Sequence, residues 1–269
     1  MRLNTPGRWN LLGKKVAPLL ARTVAKPRPT NLVEMLDAYL NCVIGKGAGT
    51  GWDQGEEIAA ARVIGRRDPV VLDLGANRGE WTMALREMVG GGGRWILVDA
   101  AAECCRLLRT LPQVEVIEAA VGESPGRATF YTPGDASGIA SLHARQDSVA
   151  RGWSFEERDV VVTTIDEMLE TRGLDHVDLI KMDLEGHELF ALRGAARSLA
   201  AGRIRAIAFE FGASNVNSRT FFRDFWVLLT GYGFDLHRIY PGGATVRVSE
   251  YYEDLEYFRG VTNYLAIAR

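Results

Sequence analysis

Val70-Val71-Leu72-Asp73-Leu74-Gly75-Ala76-Asn77-Arg78-Gly79-Glu80 is an apolar run that ends in an acid and a glycine turn. The apolar residues among Val70 to Leu74 predict a strand buried on both faces, because no polar position alternates through it until Asp73. Trp81, Met83, Ala84, Leu85, Met88 and Val89 then recur at helical spacing. Strand, glycine turn, helix is the opening unit of an α/β fold that binds a nucleotide-like ligand. The plainer alternative is a tight strand-to-helix turn with no ligand.

The spacing separates two ligand classes. A dinucleotide site needs G-x-G-x-x-G, whose second glycine lets the backbone approach a pyrophosphate at the helix N-terminus. This turn is Gly75-Ala76-Asn77-Arg78-Gly79, with a side chain at the second glycine position. Asp73 would also repel phosphate, and suits a cation or an ammonium group instead. S-adenosylmethionine carries both a sulfonium and an amino group, so it is the expected cofactor, with Asp73, Gly75, Asn77 and Gly79 as its first contacts.

The chain has 269 residues, 47% of them hydrophobic and 25% charged, which predicts a soluble globular protein with a sizeable core. One main domain, residues 53–269, follows a basic N-terminal extension with helices, residues 1–52. A net charge of −2 gives no nucleic-acid footprint. Up to residue 33 the chain carries Arg2, Arg8, Lys14, Lys15, Arg22, Lys26 and Arg28 and no acid, so the remainder is net acidic. With Leu11, Leu12, Val16, Leu19 and Leu20 at roughly helical spacing, this segment suits weak contact with an anionic membrane surface. Pro6, Pro18, Pro27 and Pro29 favour the alternative of a short packed helix and an arm. No apolar stretch has the length of a signal-peptide core or a membrane span. Cys42, Cys104 and Cys105 are too few and too poorly spaced for a disulfide framework or a zinc site, which predicts a reducing, cytoplasmic setting.

Further along, helices are expected at 31–40, 53–64, 100–111, 188–199 and 221–229, and strands at 94–98, 114–121, 160–164, 177–182, 204–211, 234–240 and 264–268, with weak alternation at 127–131. A loop at 133–153 is expected to cover a site. The βαβα alternation gives an α/β fold, a mostly parallel sheet with helices on both faces.

In such sheets ligands bind outside the carboxyl ends of the strands, so acids there are the candidates. Asp99, with the adjoining Ala100, follows the second strand where an acid accepts ribose hydrogen bonds; a solvated loop acid is the alternative. Glu118, Ala119 and Ala120 end the third strand, where small residues let an adenine ring lie on the backbone. Lys181-Met182-Asp183-Leu184-Glu185-Gly186-His187-Glu188 sets ionisable groups directly after a buried strand, where charges must be paired or used. Asp183 is a candidate for cofactor or substrate contact, and His187 for taking a proton from a substrate hydroxyl. The alternative is that His187, Glu188 and Glu185 cap a helix start. His143, in the covering loop, is read as structural, as are His176 and His237.

Asp73 to Gly79, Ile180 to Glu188 and Phe209-Glu210-Phe211 together resemble the FkbM-type S-adenosylmethionine-dependent methyltransferases. Also similar are Ala120-Val121-Gly122, Gly138 to Leu142, Thr164-Ile165-Asp166 and Thr262-Asn263-Tyr264, over about residues 53–269. The basic extension has no counterpart. The resemblance implies a class I methyltransferase (Rossmann-like) sheet of seven strands, the last antiparallel, and methyl transfer to a hydroxyl of a sugar, glycan or natural product.

In-line methyl transfer mainly needs positioning, and a hydroxyl needs activation. His187 as base is one route; a magnesium ion held by Asp183 and Glu210, with Asn215 or Asn217, is the other. Two readings of other classes compete. One is an NAD-dependent oxidoreductase, disfavoured by the missing glycine; the other is a non-catalytic membrane-surface module, disfavoured by the intact acids.

Overall fold

The computed structural model describes residues 16–18, 20–21, 24, 27–47, 53–134, 138–146 and 150–269. The basic residues from Arg2 to Lys26 lie outside the described residues, as does the side chain of Arg28.

Helix α1 (Pro27–Val43) precedes α2 (Gly55–Ile64), and the α/β alternation then runs β1 (Val70–Leu74), α3 (Glu80–Val89), β2 (Arg94–Asp99), α4 (Ala102–Leu108), β3 (Glu115–Glu118). Next come β4 (Ala120–Val121), β5 (Gly126–Thr132), β6 (Glu156–Thr163), α5 (Ile165–Thr171), β7 (Leu179–Met182), α6 (Glu188–Arg193) and α7 (Ala196–Ala200). The chain ends in β8 (Ala206–Gly212), α8 (Ser214–Ser218), α9 (Phe222–Gly231), β9 (Phe234–Ile239), β10 (Thr245–Arg247) and β11 (Val261–Ala268).

The main sheet has eight strands in the order β10-β9-β11-β8-β7-β1-β2-β3. Strands β3, β2, β1, β7 and β8 are parallel, and β11 runs antiparallel between β8 and β9. That is the expected class I methyltransferase arrangement with one strand more than expected, because β10 folds back on β9 at the edge. The order reverses between β1 and β7, so the turns after these two strands flank the crevice where open α/β sheets take ligands.

Successive residues of each strand feed opposite faces. Leu72, Leu74, Val98, Met182 and Phe209 pack in one core cluster, and Val71, Trp95, Leu97, Leu179 and Ala208 in the other, under α2 and α3. Asp73 and Lys181, adjacent in register, stand on the second face by the same alternation, and so do Glu210 and its cross-strand partner Asn263. A row of polar residues therefore crosses the carboxyl end of that face.

Two expected elements divide. The strand at 114–121 splits at Ala119: β3 pairs with β2, whereas β4 leaves the sheet edge and pairs with β6 in a three-stranded sheet, β4-β6-β5. The helix at 188–199 breaks at Gly194, because the Gly194 carbonyl accepts from Asp166 N and the Asp166 carboxylate starts α7 by accepting from Arg197 N and Ser198 N. Thr164 caps α5 by accepting from Glu167 N. The Thr164-Ile165-Asp166 run thus serves two helix starts.

Candidate functional site

The glycine turn after β1 is fixed by its contacts. Gly75 has φ +79, and a Cβ there would overlap the Asp183 carbonyl oxygen, so only glycine lets the turns after β1 and β7 touch. Gly79 also has positive φ, and a Cβ would press on Leu111 and Leu108, which makes it a packing glycine between α3 and α4. Asn77 stands in the left-handed region at φ 48, which asparagine tolerates better than most residues. Its N–H donates to Asp99 Oδ2 at 2.8 Å, and its Oδ1 accepts from Cys104 Sγ at 3.4 Å.

These residues open onto a cleft that is continuous with solvent. Of the residues singled out in the sequence, Gly75, Asn77, Asp99, Ala100, Ala120, Asp183 and His187 border it. Three candidates do not. Asp73 is 1% exposed behind the cleft wall, where Oδ2 accepts from Thr82 Oγ1 at 2.6 Å and Oδ1 lies 3.7 Å from Lys181 Nζ. The cation that Asp73 attracts is thus one of the chain's own. Gly79 faces α4, and Glu210 lies outside the cleft lining in the polar row.

The small sheet and the loop that follows it build the far wall. Phe130 of β5 packs with Ala101 and Cys104, and Ala140 and Leu142 join them. Burial pushes the Cys104 and Cys105 thiols up to about 12, which leaves them packing groups.

Asp99 holds the glycine turn as well as facing the cleft. Its Oδ1 accepts from Ala101 N at 2.8 Å, and each carboxylate oxygen keeps a further lone pair. Burial raises its pKa to about 6 against the pull of these two N–H groups, so it is charged at neutral pH.

After β7 the acids divide their work. Glu188 Oε1 accepts from Leu184 N at 2.8 Å and Gly186 N at 3.2 Å, so Glu188 closes the turn before α6, and burial raises it to about 7. Glu185, in the left-handed region at φ 51, directs its carboxylate to Arg145, whose side chain is 2% exposed. Ser141 Oγ donates to the Glu185 carbonyl at 2.9 Å, so two bonds tie the covering loop to this turn. Burial, with Asp183 nearby, raises Glu185 to about 8 in spite of Arg145.

His187 is the N-cap residue of α6, but its side chain makes no capping bond. Its ring stacks on Phe190 at 4.6 Å, and its Nδ1 lies 2.9 Å from His143 Nε2. Burial first, and His143 second, lower the His187 pKa to about 4; burial lowers His143 in the same direction. Both rings are neutral at pH 7.

Lys181 stands among the acids expected to hold a metal. Its Nζ lies 3.1 Å from Asp183 Oδ2, so an ammonium already holds the position of positive charge between the acids. Burial lowers the tendency of Lys181 to stay charged, and Asp183 and Asp73 outweigh it. Burial first, then Asp183 and Glu56, hold Glu210 well above the ordinary carboxylate range. Asn215 spends its side chain inward, accepting from Gly212 N at 2.8 Å and donating to Thr220 Oγ1 at 2.9 Å, and Asn217 accepts from Gln146 N. Among the described residues no group of three or more His, Cys, Asp or Glu is placed to hold a metal ion.

Sequence reasoning left several participants unassigned. Arg145 and His143 reach the site from the covering loop just after Leu142, and Glu56 from α2; Asn263 donates to Glu56 Oε2 at 3.0 Å. Burial raises Glu56 to about 8. Lys181 was visible beside Asp183 and is explained only by its register with Asp73.

S-adenosylmethionine suits this lining. The small apolar wall of Ala119, Ala120, Phe130 and Leu142 fits an adenine, Asp99 fits a ribose diol, and the Gly75 turn beside Asp183 leaves room for an amino-acid end. A dinucleotide is opposed by Asn77, which stands where the second glycine would be.

The family profile described as Methyltransferase FkbM domain matches residues 73–236. The 2-O-methyltransferase NoeI of Sinorhizobium fredii (strain NBRC 101917 / NGR234) is 25% identical over 154 residues, which is 52% of this chain and 63% of that protein. The chain thus spans less than two thirds of that relative's length. Among solved structures, Methyltransferase FkbM from Methylobacillus flagellatus KT aligns with a TM-score of 0.45 and 18% identity, covering 74% of this chain and 44% of that one. The O-methyltransferase from Bacillus cereus in complex with SAH aligns with a TM-score of 0.43 and 12% identity, covering 97% of this chain and 96% of that one.

Proposed function

This chain belongs to the FkbM methyltransferase family, and on that premise we propose that it transfers the methyl group of S-adenosylmethionine to a hydroxyl of a sugar, glycan or natural-product acceptor. The observation that carries the reading is that Asp99, Asp183 and the neutral His187 border one cleft. A hydroxyl acceptor is supported by the name of the 25% identical relative, a 2-O-methyltransferase.

Asp99 would hold the ribose, Ala119, Ala120, Phe130 and Leu142 the adenine, and Asp183 with the Gly75 turn the amino-acid end. When bound, the cofactor supplies a methyl group already activated by its sulfonium. The protein's part is to orient the acceptor and take its proton. His187 suits that part because burial keeps it neutral. The contact between His187 Nδ1 and His143 Nε2 accommodates the tautomer with the proton on Nδ1, and that tautomer leaves the lone pair of His187 on Nε2. A base of such low pKa helps modestly, at the lower end of the range for general bases, about 10²-fold.

The test is incubation with methyl-labelled S-adenosylmethionine and a panel of glycans, followed by mass spectrometry of the products. Label on a hydroxyl oxygen supports the reading, and label only on nitrogen or carbon overturns it. His187→Ala is expected to lower kcat about 10²-fold with cofactor affinity unchanged, and an unchanged kcat removes His187 as the base.

A further inference from the structure

Helix α1 is amphipathic with its faces reversed. At about 100° per residue, Leu32, Met35, Leu36, Tyr39, Leu40 and Val43 share an arc of roughly 140°, while Glu34, Asp37 and Asn41 lie opposite. A surface helix normally turns its apolar arc to the core. Here Asp37 and the buried Cys42 meet the body: Asp37 Oδ2 accepts from Arg259 Nε at 3.0 Å and from Tyr257 OH at 3.2 Å. The apolar arc faces outward, with Leu32 68%, Met35 69% and Tyr39 60% exposed. Val16 and Leu20, earlier in the chain, and Ile44, directly after the helix, are exposed as well. A contiguous apolar surface of this kind needs a partner.

The sequence specifies the partner's charge. Residues up to 33 carry seven Lys and Arg and no acid. We propose that α1 lays its apolar arc into the interfacial zone of an anionic lipid bilayer, with the basic residues around and before it drawn to the headgroups. The two signals are weak singly and add when they engage the same surface. Tyr39, with an apolar ring and a polar tip, suits the headgroup level. Among the described residues no helix is long and apolar enough to cross a membrane, so this contact lies on the surface. A second copy seated on the same face would bring an identical cationic segment against the first, which disfavours self-association. The proposal is independent of the acceptor and of the base.

The experiment is co-sedimentation of the full chain with phosphatidylcholine vesicles containing about one quarter phosphatidylglycerol, and with phosphatidylcholine alone. The chain is expected to bind the anionic vesicles at least about 10-fold more tightly, with the difference falling as salt rises. Leu36→Glu with Tyr39→Glu is expected to cut that binding at least about 10-fold, with circular dichroism and S-adenosylmethionine affinity unchanged. No binding to anionic vesicles, or equal binding by the variant, overturns the proposal. A concentration-dependent dimer in analytical ultracentrifugation that the double variant dissolves assigns the face to a second copy and also overturns it.

Discussion

After β1 the chain turns through Gly75–Gly79, and after β7, its neighbour in the sheet, it turns through Asp183–His187; the first turn is shaped by what its residues lack, the second by what they carry. Gly75 lets the Asp183 carbonyl approach because it has no Cβ. Glu188 closes the second turn with a carboxylate, and Glu185 ties it to Arg145. The contrast teaches that a strand-end turn can be tightened by steric absence on one side of a switch point and by side-chain acceptors on the other. Each strategy fails differently on substitution.

The largest effect is expected for Gly75→Ala. The left-handed backbone costs about 1–2 kcal/mol and the overlap with Asp183 about 1–3 kcal/mol more. Thermal unfolding checks this, and wild-type melting would mean that the two turns are not in tight contact. Glu188→Ala comes next, because two N–H groups lose their acceptor; about 2–4 kcal/mol is expected in denaturant titration. Glu188→Gln keeps an acceptor oxygen and is expected to cost under about 1 kcal/mol, and a glutamine as damaging as alanine would show that the turn needs charge.

Arg145→Met leaves the Glu185 carboxyl without its hydrogen-bond partner and is expected to cost about 1–3 kcal/mol, with faster proteolysis near residues 138–146. Adding Glu185→Gln should recover part of the loss, and no recovery would separate the loop from the acid turn.

The smallest effect is in pH. Glu56 and Glu185, raised to about 8, and Glu188, raised to about 7, hold protons in the folded state that the unfolded chain gives up near 4.5. The folded state therefore binds more protons, and stability falls as pH rises through that window. His187, lowered to about 4, has the opposite slope, confined between that value and its ordinary 6.5. Between pH 6.5 and 9 the acids set the slope, and a decline on the order of 1 kcal/mol is expected once water beside the part-exposed Glu56 and Glu185 is allowed for. Rising stability over that range would contradict the burial of these acids.

Much of the site was legible because it lies at strand ends. Asp99, Ala120, Asp183 and His187 each follow a buried run, and in a parallel sheet every such end faces the same crevice. Asp73 also follows that rule of position, but strand alternation sends its side chain to the α3 face and Thr82. The break of 188–199 at Gly194 was not legible, since the signal that restarts the helix is Asp166, remote in sequence.

The sequence by itself determined the α/β alternation, the absence of a dinucleotide turn and the acids at the strand ends, because periodicity and turn chemistry are local properties. Only the tertiary structure decided that Lys181 supplies the cation beside Asp73 and Asp183, that His143 meets His187, that Arg145 closes on Glu185, and that α1 turns its apolar arc outward. Those outcomes depend on register and on which distant segments meet, and charge is paired in space without regard to its spacing along the chain.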